Sequence, residues 1–157
     1  MKIELTKEQY QDLIKANAIG NAVLGILGDS FPDEYKQQSN TIDSLQEYLL
    51  KYAGEFDSND LIEDFEGKEV LSQEYYEEKI MPIVDTYDDV TVCDDLARAL
   101  ARRDFRRDFT QAEIRKMAKQ NGGYLGVEMY DYEKKYWDEF DKHDYDRLEI
   151  VKKISKK

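Results

Sequence analysis

Arg98, Arg102 and Arg106 recur at every fourth position. On a helix of about 100° per residue, successive members are offset by only about 40°, so the three form a ladder along one side. Planar guanidinium groups bind carboxylates and phosphates in bidentate fashion, which suits such a ladder to a partner's acidic groups. The plainer use is local: Asp94 stands four residues before Arg98, and the arginines then neutralise acidic neighbours and solvate the helix. Asp104 is the odd residue of this region, because it projects into the apolar stripe beside Leu100 and Phe105. A buried carboxylate needs a cation, and the sequence offers Arg103, Arg107 or Arg147.

Two amides raise the same question elsewhere. Asn17 and Asn21 lie one turn apart on an otherwise apolar stretch, where they must find hydrogen-bond partners; they fix the register of the core or, alternatively, line a small polar pocket or mark a helix-mediated dimer contact. Other candidate sets fall short of a site. Asp57-Ser58-Asn59-Asp60 opens like a calcium loop, but the glycine position is Ile62 and the twelfth position is Lys68 rather than glutamate. Asp85, Asp88, Asp89, Asp94 and Asp95 are read as helix-dipole and solvating charges rather than metal ligands. His143 has only Glu139 at four residues' distance, and the single cysteine, Cys93, sits on an apolar stripe where thiols pack inertly. The glycines at 122, 123 and 126 lack the lysine of a phosphate loop. No catalytic residue, cofactor or metal ligand is therefore assigned.

The elements that must carry these residues are mainly helical. Thr6 to Gln9 is a capping box starting a helix that should stop at Gly28, apolar nearly all round and so a candidate central element, with Gly20 and Gly25 admitting close neighbours. A second helix carries Ile42, Leu45, Leu49 and Tyr52. A short third one is predicted over Ser58 to Phe65, before the Glu66-Gly67-Lys68 turn. Ser72 caps a helix that Pro82 kinks or divides, and Asp89 or Thr91 starts the next, with Cys93, Leu96, Ala97, Leu100, Ala101 and Phe105 on one stripe. Thr110 to Glu113 is a second capping box, its helix ending at Asn121-Gly122, and the last helix spans about Val127 to Lys142. Lys2 to Leu5 and Leu148 to Val151 read as strands that pair to satisfy their backbones. The expectation is one domain over residues 1–157, a bundle of six or seven helices closed by a terminal two-stranded ribbon.

The opening I-E-L-T-K-E-Q-Y, the middle L-A-R-A-L-A-R-R-D-F and the closing Y-E-K-K-Y-W-D-E-F with D-R-L-E-I resemble a group of small acidic bacterial proteins of similar length. The likeness covers most of the chain. It agrees with the helical reading and brings no known activity or site residues.

Charge sets the remaining limits. The formal net charge is −12, from 35 acidic and 23 basic side chains, yet it is unevenly placed. Residues 29–95 hold 20 acidic and 4 basic side chains, whereas residues 96–120 hold 8 basic and 3 acidic. Such an acidic body disfavours direct nucleic-acid binding, which scales with phosphates neutralised. One cysteine and one histidine exclude an intramolecular disulfide and a Cys/His zinc set. The N-terminal MKIELTKEQY has no secretory apolar run and no stretch is long enough to span a bilayer, so a cytoplasmic protein without membrane attachment is expected. The leading functional expectation is a non-enzymatic protein–protein interaction module, an adaptor or inhibitor of undetermined oligomeric state, using its acidic face, its arginine ladder or both. The alternatives are a nucleic-acid mimic that occupies a DNA-binding protein, and an enzyme with a carboxylate-held metal.

Overall fold

The computed structural model of the chain describes residues 4–149. It is mainly α-helical and divides into two compact units, Met1–Asp88 and Asp89–Lys157. In the first unit, helix α1 (Lys7–Ser30) starts at the Thr6 capping box: the Gln9 amide donates to Thr6 Oγ1 at 3.2 Å and the Thr6 amide to Gln9 Oε1 at 3.0 Å. Helix α2 (Pro32–Leu50) follows after Phe31, with Pro32 in the first turn, where its missing N–H has no intrahelical use. The two helices run antiparallel. Tyr10 Oη donates to the Leu49 carbonyl at 2.8 Å, Asn21 Nδ2 to Gln46 Oε1 at 3.1 Å, and Lys36 pairs with Asp29 at 3.0 Å.

Gly28 does not stop α1. It lies inside the helix, packed against α2, where an added Cβ would stand 2.8 Å from Ser39 Cβ. Gly20 and Gly25, expected to admit neighbours, have nothing within 4 Å of that position. Nor is α1 buried all round: Tyr10, Ile14, Asn17 and Ala18 form one buried stripe, while Leu13, Val23 and Ile26 are exposed. An antiparallel pair covers only one side of each helix.

After two short 3₁₀ turns, Ala53–Phe56 and Asn59–Leu61, strands β1 (Ile62–Phe65) and β2 (Lys68–Leu71) form an antiparallel hairpin in the register Ile62↔Leu71 to Phe65↔Lys68. The helix expected over Ser58 to Phe65 is thus absent. Glu66 and Gly67 have φ of 53° and 80°, the positive pair that closes a two-residue hairpin and matches strand twist. Ser58 does not cap; its buried hydroxyl donates to the Phe56 carbonyl at 3.0 Å and accepts from Gln11 Nε2 at 3.2 Å. The hairpin, α1, α2 and the start of the next helix enclose Tyr10, Ile14, Leu50, Leu61, Leu71, Ile80 and Val84. Tyr10 stacks on Phe56 at 4.3 Å between ring centroids.

Ser72 does cap, accepting the Tyr75 amide at 3.2 Å. The single turn α3 (Gln73–Tyr75) passes into a π-helical turn, Tyr76–Ile80, and then directly into α4 (Met81–Asp108). Pro82 therefore divides nothing. The wider turn just before it accommodates a residue that has no N–H to donate and whose ring crowds the carbonyl four positions earlier. The two helices expected on either side of Thr91 are one. With the hairpin replacing another, five helices of ten or more residues stand among the described residues, rather than six or seven.

The second unit comprises the rest of α4, α5 (Gln111–Gln120) and α6 (Gly126–His143). The Thr110 capping box starts α5, with the Glu113 amide 3.3 Å from Thr110 Oγ1 and the Thr110 amide 2.7 Å from Glu113 Oε2. Gly122 and Gly123, at φ of 64° and 92°, end it, and the Gly123 amide reaches back to the Ala118 carbonyl at 2.7 Å. Ala97, Ala101 and Phe105 of α4 are buried, as is Phe140 of α6, and the Phe105 ring meets Tyr132 edge-on at 5.4 Å. The expected terminal ribbon, Lys2 to Leu5 with Leu148 to Val151, lies largely outside the described residues. Its described parts, Glu4 with Leu5 and Leu148 with Glu149, carry no strand.

Candidate functional site

Helix α4 separates the arginine ladder into two kinds of residue. Arg98 is neutralised on its own helix, by Asp94 at 3.3 Å and Asp95 at 3.4 Å. Arg102 and Arg106 are exposed and have no ion-pair or hydrogen-bond partner among the described residues. Both rim a groove of about 430 Å³ in the second unit. Its apolar surface comes from Phe105 of α4, Ile114 of α5, Leu125 and Met129, with Glu133 the carboxylate at its edge. The Gly122–Gly126 turn shapes one end. Tyr124 folds tightly over Gly126, where a side chain would collide with its ring.

Asp104 lies on another side of α4 and is fully engaged. It accepts from Arg103 Nε at 2.9 Å, Arg107 Nη1 at 3.3 Å and, closely, from the Tyr136 hydroxyl; Lys135 Nζ is 3.6 Å away. Its side chain is 17% exposed. Burial alone would raise its pKa, but the hydrogen bonds from Arg103 and Tyr136, with the nearby positive charges, outweigh burial and hold it at about 2. The same burial and the bond to Asp104 push the Tyr136 hydroxyl up. This is a clamp between α4 and α6. A carboxylate so firmly ionised is a poor proton donor or acceptor near neutral pH. Of its anticipated cations, Arg147 instead pairs at 3.1 Å with Glu139, the carboxylate four residues before His143.

The amides on α1 part company too. Asn21 bridges to α2 through Gln46, as a register-setting residue should. Asn17, 6% exposed, has no hydrogen-bond partner for its amide nitrogen or oxygen among the described residues. Cys93 lines a separate hollow with Trp137, Phe140 and Tyr145, and burial, followed by Asp94, Asp141 and Asp144, raises its thiol pKa. A thiol held protonated is a weak nucleophile. Among the described residues, no three acidic, cysteine or histidine side chains stand close enough to hold a metal ion.

The groove was not visible in the sequence, although Arg102 and Arg106 were. Its walls come from three segments that share no local pattern. The only hint is Gly122-Gly123-Tyr124-Leu125-Gly126, whose glycines mark both a left-handed stop and a close approach. No protein-family model, no curated protein and no solved structure matches the chain.

Proposed function

We propose that the protein is a non-enzymatic interaction module, an adaptor or inhibitor acting in the cytoplasm, which docks a protein partner on the arginine-rimmed groove of its second unit. One observation carries this reading: among the described residues Arg102 and Arg106 have no partner above an apolar floor, while Arg98, Arg103, Arg107 and Arg147 each have a carboxylate. Two like charges one turn apart repel by a few tenths of a kcal/mol, a cost that a partner's carboxylates would turn into attraction. A nucleic-acid partner is disfavoured by the net charge of −12, and among the described residues no helix is long and apolar enough to cross a membrane.

Affinity capture from the source cells, run in parallel with wild-type protein and the Arg102→Ala/Arg106→Ala variant, tests the reading. A protein retained by the wild type and lost from the variant supports it. Capture of the same proteins by both overturns it.

A further inference from the structure

Resting on that reading, we infer that the groove accepts an acidic amphipathic peptide segment, seating one or two bulky apolar side chains on its floor and carboxylates one helical turn apart on Arg102 and Arg106. The volume, about 430 Å³, falls in the lower part of the range for ligand sites, roughly 300–1,000 Å³, and so suits side chains of a short segment. The floor of Phe105, Ile114 and Met129 supplies the apolar contact, and the flexible thioether adapts to different anchors. The rim supplies the sign. Arg102 and Arg106 are four residues apart on α4, so their side chains emanate roughly 6 Å apart, the spacing of carboxylates at i and i+3 or i+4 on a second helix.

Other peptide chemistries fit less well. A neutral apolar segment would cover two guanidinium groups without pairing them, and a basic one would meet like charge in residues 96–120. On α4 itself the acidic residues that precede the arginine edge, Asp94 and Asp95, are already engaged by Arg98 and do not compete for Arg102 and Arg106. Glu133 also faces the groove, so the ligand's carboxylates belong along the arginine edge and not on both sides.

The test is selection of a random twelve-residue peptide library against the full chain, with binders re-measured on three variants. These are Arg102→Glu/Arg106→Glu, Met129→Lys and, as a control outside the groove, Arg98→Ala; circular dichroism verifies that each is folded. Enriched peptides should combine two carboxylates one turn apart with one or two bulky apolar residues. Their affinity should fall by about tenfold or more in the charge-reversed protein and in Met129→Lys, and stay unchanged in Arg98→Ala. Enriched peptides that depend on Met129 but carry no carboxylates overturn this inference and leave the docking reading standing. Absence of any groove-dependent peptide overturns both, as does binding of dodecanoate in place of peptide; self-association of the chain through the groove overturns this inference alone.

Discussion

Among the described residues the first unit encloses nine buried hydrophobic ones, from Tyr10 and Ile14 on α1 to Ile80 and Val84 beyond the hairpin. In the second, the buried hydrophobic residues among those described are Ala97, Ala101, Phe105 and Phe140, two of them alanines. What the second unit lacks in apolar burial it supplements with charge: Asp104 gathers Arg103, Arg107, Lys135 and Tyr136, and Tyr132 Oη donates to Asp108 at 2.8 Å. A region held by packing is sensitive to lost volume. One held by a carboxylate clamp is sensitive to pH, and it can leave apolar surface at a groove without losing its framework.

The contrast is broken most severely at Ile14, fully buried in the first core. Ile14→Ala should lower unfolding stability by about 3 kcal/mol, combining lost transfer energy with a cavity, as read from a urea titration. In the second unit the corresponding lever is Asp104→Asn. Its carboxyl pKa is depressed to about 2 from 3.8, so the ionised form stabilises the native state above pH 3.8 and that contribution, about 2 kcal/mol, is lost as pH falls through 2. Acid titration followed by circular dichroism should therefore show a smaller fall in stability between pH 4 and 2 for the variant than for the wild type.

Smaller changes sharpen the packing side. Gly28→Ala forces Ser39 and α2 away from α1 and should destabilise by about 1–2 kcal/mol net of the gain in helix propensity. Gly20→Ala, in open space on the same helix, should stabilise by up to about 1 kcal/mol; thermal midpoints moving in opposite directions verify the pair. Asn17→Leu, which removes a buried amide with no bonded atom, should raise stability by about 1 kcal/mol in the same measurement.

What could be read in the sequence follows the range of the interactions. Both capping boxes, the Ser72 cap and the Glu66-Gly67 turn are set within four residues, and each stands where its residues place it. The four-residue strands were hidden because Ile62–Phe65 is too short to show a period, and its partner becomes evident only once the turn is known to close a hairpin. Pro82 does not divide its helix for a related reason: the π turn that accommodates it precedes it and has no sequence mark. Gly28 looked like a stop because its role depends on Ser39, a residue of another helix. At the candidate site the arginines were legible from their spacing, whereas the division between Arg98 and the other two required knowing which carboxylates and apolar side chains stand beside each.

The docking reading is tested most directly by backbone amide spectra of the full chain during titration with the captured partner. It predicts shifts concentrated at Arg102 to Arg106, around Ile114, and from Tyr124 to Glu133, with α1 and α2 unchanged. Shifts centred on the acidic residues of α2 and the hairpin, with the groove silent, would contradict it.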